Sequence, residues 1–210
     1  MNKYILVFAL LSTITSLTAN AAMIDDFNGG EMTVIATDTQ SKSYSHAFGG
    51  KRTINIEKDG PLGAISHVLA MNGGIYSHSA DSLTSATSTI SWHSDTAIDL
   101  LEDSTQIAFA LDVLSIDQGE IEIILSVTDT LGGFDSVSLL GAGAGLHLFN
   151  FTSFSSINFL HVNGISLKMI GDTASDLTLK SLSTVPTPSV LVLLAMGLIA
   201  FRFNQRIKNK

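Results

Sequence analysis

Three carboxylates, one tryptophan and two matching histidine triplets are the residues whose types and spacing could do chemistry in this chain. Asp25 and Asp26 stand just ahead of the first strand pattern, and Asp176 opens the last one. If the two ends of the folded body meet, these carboxylates converge with backbone carbonyls on a Ca²⁺ ion, which takes six to eight oxygen ligands. The plainer reading has them capping strand ends and facing water. Trp92 is the single tryptophan. Exposed, it would be a stacking platform for a ligand ring, although its spacing of two from Ile90 in an alternating segment turns it towards the core. Tyr44-Ser45-His46 and Tyr76-Ser77-His78 would pair two imidazoles on adjacent strands, but no third metal ligand accompanies them, and two ordinary strand edges explain them. Arg52, in "GGKR", reads as a turn leading into a strand. No spacing marks a nucleophile with its base, or a matched carboxylate pair. The sequence therefore singles out no catalytic site.

The elements that must position these residues are strands. "RTINIEK" (52–58), "IAFALDV" (107–113), "IEIILSV" (121–127) and "DLTLKSL" (176–182) alternate apolar and polar residues with a period of two, the signature of half-buried strands. Gly and Asn pairs such as Asn28-Gly29, Gly49-Gly50 and Gly132-Gly133 punctuate them with turn chemistry. Ten to twelve short strands at regular spacing predict an all-β antiparallel sandwich of jelly-roll type. "LLGAGAGLHLFN" (139–150) fails the dinucleotide pattern G-x-G-x-x-G because position 146 is Leu, and it reads as a glycine-rich strand junction.

Charge and termini bound the setting. All nineteen acidic residues lie between Asp25 and Asp176, and the body over 22–184 holds only six bases, so it carries a balance of −13. Such a body repels phosphate backbones and argues against nucleic acid. There is no cysteine, which excludes thiol and Cys-ligated metal chemistry. Residues 1–21 read as a signal peptide: Lys3, an apolar stretch from Tyr4 to Leu11, and an A-x-A cleavage pattern at Ala19-Asn20-Ala21. The mature chain is expected to begin at Ala22, with an extracytoplasmic domain over 22–184. The remaining segment, 185–210, begins Val185-Pro186-Thr187-Pro188. It continues through a twelve-residue apolar run from Val190 to Phe201 and ends with Arg202, Arg206, Lys208 and Lys210. The prolines hold the backbone extended. The run is expected to form a single transmembrane helix, short beside the roughly 20 residues of an ordinary span, with its basic end cytoplasmic.

This tail resembles the PEP-CTERM sorting signal of Gram-negative bacteria. The matching features are Pro186 and Pro188, the Leu/Gly/Ala-rich helix "LVLLAMGLIAF", and the basic end with Arg202 and Arg206. Thr187 replaces the usual acidic middle residue, and the bases are spread out instead of in tandem. The resemblance implies an exported substrate of an exosortase-like processing enzyme, held transiently in the inner membrane and then delivered to the cell surface or matrix. It further implies an association with exopolysaccharide or biofilm. With no catalytic site marked by its residues, the chain is expected not to be an enzyme. A transient anchor also accounts for the short helix. The alternatives are a calcium-stabilised carbohydrate-binding module, since jelly-roll modules of that kind often carry a structural calcium near the first and last strands, and a secreted hydrolase.

Overall fold

The computed structural model describes residues 21–186 apart from 45, 70–73, 102–105 and 118–119. Residues 21–185 form one compact unit. Among the described residues there are thirteen strands: β1 (Met23–Asp25), β2 (Met32–Ile35), β3 (Asp38–Ser43), β4 (Lys51–Asp59), β5 (Ala64–Leu69), β6 (Ile75–Ala80), β7 (Ser85–Ile98), β8 (Gln106–Asp117), β9 (Ile121–Asp129), β10 (Phe134–Leu139), β11 (Gly145–Asn150), β12 (Val162–Gly171) and β13 (Asp176–Pro186). Helical structure there is limited to two short 3-10 turns, Phe48–Gly50 and Phe151–Ser153. No helix among the described residues is long and apolar enough to cross a membrane. Ala19, Thr187, Pro188, Arg202, Arg206, Lys208 and Lys210, and with them the expected signal and C-terminal helices, lie outside the described residues.

The strands make an antiparallel two-sheet sandwich. One sheet runs β11-β8-β13-β6-β5-β2, with β1 added beside β13; the other runs β10-β9-β12-β7-β4-β3. The period-two patterns set the faces. Ile54 and Ile56 of β4, Ile123, Leu125 and Val127 of β9, and Leu177 and Leu179 of β13 are all buried, while the residues between them are more open. Ile107 differs from its pattern: Phe109, Leu111 and Val113 are buried, but Ile107 at the start of β8 is 42% exposed. Alternation fixes which way a side chain points, not whether anything covers it.

The two ends of the body meet. Met23 pairs with Ser183 and Asp25 with Leu182, while the Ala22 N–H donates to Thr184 Oγ1 and the Thr184 N–H to the Ala22 carbonyl, each at 2.8 Å. Ala21 is exposed next to this pairing, and Val185 and Pro186 finish β13.

Candidate functional site

The structure does not bring the three carboxylates together. Asp25 stands opposite Leu182 and Asp176 opposite Ser79, six residues apart along β13. At about 3.3–3.4 Å per residue that is roughly 20 Å. Asp25 is wholly buried, and both its oxygens are engaged: Oδ2 accepts from Arg52 Nε (2.6 Å) and Trp92 Nε1 (2.7 Å), and Oδ1 accepts from Arg52 Nη2 (2.5 Å) and the Phe27 N–H (2.8 Å). Asp26 Oδ1 accepts from the Asn28 N–H and from the Tyr44 hydroxyl, and Asp176 is exposed. Trp92 is 1% exposed, so it anchors the core and is not a stacking platform. Arg52 is likewise an interior residue and more than part of a turn. The histidine triplets also part company. β6 lies between β13 and β5 and turns Tyr76 and His78 inward, away from any strand edge, whereas His46 sits in the turn after β3 against the Tyr44 ring.

The face with chemistry to offer is the outer surface of the six-stranded sheet. In β7, Ala86, Ser88, Ile90 and Trp92 point inward, so Thr87, Thr89, Ser91 and His93 point outward. Strand registers continue this pattern sideways. Ser136 pairs with Ser126, Ser126 with Ser166, Ser166 with Ser91, Ser91 with Thr53 and Thr53 with Ser41. One hydroxyl per strand thus crosses all six strands. The next row towards one end reads Phe134, Thr128, Gly164 and His93.

That second row forms a cup. Gly164 leaves a gap between Thr128 and His93, where a Cβ would lie 2.3 Å from Thr128 Oγ1. The depression, about 200 Å³, is lined by Phe134, His93, Gly164 and the hydroxyl residues Ser91, Ser126, Thr128 and Ser166, together with the otherwise buried Trp92 and Ile165. Phe134 (62% exposed) and His93 (64% exposed side chain) stand at its two sides, three strand intervals or about 14 Å apart in backbone terms. His93 Nε2 lies 3.9 Å from Asp95 Oδ1. An exposed ring beside a rim of hydroxyls offers an apolar face and several hydrogen-bond groups to one ligand.

Asp129 sets the position of Phe134. Its Oδ1 accepts from the Leu131 and Gly133 N–H groups and its Oδ2 from the Asn158 N–H, fastening the β9–β10 turn immediately before the ring. These donors, Asn158 foremost, hold its carboxyl below the usual carboxylate range. Asp135 is lowered in the same way, mainly by the Ser156 N–H. Gly133 has no room for a side chain, since its Cβ would meet Asp129 Oδ2 and the Ser156 carbonyl.

Neither a protein-family model nor a curated protein matches the chain in sequence. Similar solved structures include CtCBM11 (9% identity, TM-score 0.48, spanning 83% of this chain and 99% of that one). They also include a family 11 carbohydrate-binding module from Clostridium thermocellum in complex with a β-1,3-1,4-mixed-linked tetrasaccharide (11% identity, TM-score 0.42, 80% and 96%). A third is PfGH50B (10% identity, TM-score 0.43), where 64% of this chain spans only 23% of the other.

Phe134, Gly164 and the hydroxyl row escaped the sequence reading. The available signals were modest: a Phe directly after Gly132-Gly133, and the alternation of Thr, Ser and His through "TSTISWHSD" (87–95).

Proposed function

We propose that this sandwich is a carbohydrate-binding domain and that it holds a polysaccharide against the outer face of its six-stranded sheet. The observation that carries the reading is the cup between Phe134 and His93, floored by Gly164 and edged by Ser and Thr hydroxyls. A sugar ring presents one apolar face, which packs on an aromatic side chain, and a rim of hydroxyls that exchange hydrogen bonds with polar side chains. The acidic surroundings favour a neutral glycan over a polyanion. The reading is one of binding, with Phe134 and the hydroxyls as contacts.

Affinity electrophoresis through gels containing a panel of soluble polysaccharides tests it. At least one polysaccharide should retard the protein, and Phe134→Ala should weaken that binding by about tenfold, the value of one aromatic stacking contact. Equal retardation of the variant, or no retardation by any polysaccharide, would overturn the assignment.

The sequence of features along residues 185–210 supports a second proposal about delivery. Val185-Pro186-Thr187-Pro188, the apolar run and the basic end fit export followed by cleavage by an exosortase-like enzyme, which would release the domain to the cell surface or matrix. A glycan-binding body is suited to exopolysaccharide there.

A further inference from the structure

We infer that the ligand is a single extended chain of neutral β-linked sugars, lying across the strands with one sugar to each strand, and not the flat face of a crystalline polysaccharide. The inference rests on the carbohydrate-binding reading and adds the class, direction and length of the glycan.

The spacing of the hydroxyl row gives the direction. Ser136, Ser126, Ser166, Ser91, Thr53 and Ser41 stand side by side, one from each of six neighbouring strands. Neighbouring strands are about 4.7–4.9 Å apart, close to the advance of one residue in a fully extended β-linked glycan. A chain crossing the strands therefore meets a hydroxyl at each sugar. A chain running along a strand would meet outward side chains at every second residue, about 6.7 Å, out of step with its own repeat. Helical α-linked chains advance less per sugar and curve away from the row.

The hydroxyls are available. Ser91, Ser126 and Ser166 have no side-chain hydrogen bond among the described residues, while Ser41 and Thr53 share one at 2.7 Å. A ligand thus gains contacts at the centre of the row without breaking existing ones. The row carries no charge, which matches a neutral chain.

Twist gives the choice between a single chain and a crystal. Neighbouring strands rotate by roughly 20–25°, so the row turns by about 100–125° over its five intervals. A single hydrated chain can follow such a path. A rigid planar crystal face can touch only two or three strands of it.

Calorimetric titration tests this with β-1,4-linked glucan, mannan and galactan oligosaccharides, each from the disaccharide to the hexasaccharide. The α-1,4-linked glucan series and suspended microcrystalline cellulose complete the set. In at least one β-linked series the affinity should rise several-fold with each added sugar up to the hexasaccharide. The α-linked series should show no such rise, and the cellulose should retain no protein. Ser41→Ala combined with Thr53→Val, at the far end of the row, should erase the advantage of the hexasaccharide over the tetrasaccharide. Binding that is flat beyond the disaccharide, equal for α- and β-linked chains, or confined to cellulose would overturn the inference while leaving carbohydrate binding intact. Absence of binding to every glycan would remove both.

Discussion

Arg52 grips Asp25 with two hydrogen bonds in the interior of the sandwich, Nε to Oδ2 at 2.6 Å and Nη2 to Oδ1 at 2.5 Å. Both side chains are essentially inaccessible, at 1% and 0% exposed. The guanidinium also donates through Nη1 to the carbonyls of Gly29 and Gly30, and lies 5.3 Å from the ring centres of Phe27 and Tyr44. This arrangement ties β1, the first strand, to β4 and, through Trp92, to β7.

Breaking the pair should be costly. Either Asp25→Asn or Arg52→Met leaves a buried group without its counter-charge, which typically destabilises by about 3–5 kcal/mol. Urea unfolding should report a loss of this size for each single variant, and a smaller one for Asp25→Leu combined with Arg52→Met. Trp92→Phe, which keeps an aromatic ring but removes one donor to the Asp25 carboxylate, should lose about 1.5–3 kcal/mol from that charged hydrogen bond. Singles costing under 1 kcal/mol would mean that water reaches the pair.

Acid should weaken the fold through His78. The ring is buried, its Nδ1 meets Ser88 Oγ, and burial lowers its pKa from 6.5 to about 4 despite the nearby charge of Asp176. The unfolded chain takes up this proton near pH 6.5 and the folded one only near pH 4. The unfolded state therefore binds more protons between those values, and stability falls as pH drops through that window. The full effect is on the order of 3 kcal/mol. Urea midpoints measured from pH 7.5 to 4 should decline for the native protein, whereas His78→Gln should flatten that part of the profile even if it starts lower. An unchanged slope in the variant would assign the acid effect to other groups.

The positions of these residues explain what the sequence could reveal. Arg52 shares its parity with Ile54 and Ile56, so its inward direction was legible, but an Arg ordinarily argues for exposure. Only Asp25, 27 residues away, reverses that expectation. Trp92 was legible as a core residue from Ile90, while its bond to Asp25 spans 67 residues and has no local trace. The meeting of the first and last strands entered the sequence reading only as a condition, which the structure meets. The distance between Asp25 and Asp176 had no trace there, because it depends on which end of β13 receives β1. The hydroxyl row is hidden for the same reason. Each strand contributes one unremarkable Ser or Thr, and only five successive registers line them up.

Asp129 gives a prediction that separates positioning from contact. It touches no part of the proposed ligand surface except through the turn that presents Phe134. Asp129→Ala removes the acceptor for the Leu131, Gly133 and Asn158 N–H groups and should weaken polysaccharide binding by loosening the ring. Asp129→Asn keeps one acceptor oxygen and should recover part of it. Because the carboxyl is held below its usual range, its contribution is present above the unfolded carboxylate pKa and lost as pH falls through the folded value. Hydrogen exchange at Gly133 and Asn158 should accelerate in Asp129→Ala. Unaltered exchange together with unaltered binding would show that the turn holds itself.

The tail carries the last prediction. β13 is pinned through Thr184, whose N–H donates to the Ala22 carbonyl and whose Oγ1 accepts from the Ala22 N–H. A processing enzyme that needs extended, accessible backbone is therefore expected to act beyond this pairing, in the Val185–Pro188 stretch. Pro186→Ala with Pro188→Ala frees the backbone to continue as helix into the apolar run and should leave an unprocessed membrane form. Intact mass of protein from culture fluid and from membranes measures both events at once. The native protein should start at Ala22 and end near Pro186–Pro188, while the variant should keep its C-terminus through Lys210. If the native protein also ends at Lys210 and stays with the membranes, the tail is a lasting anchor, and any glycan held on the hydroxyl face is held at that membrane.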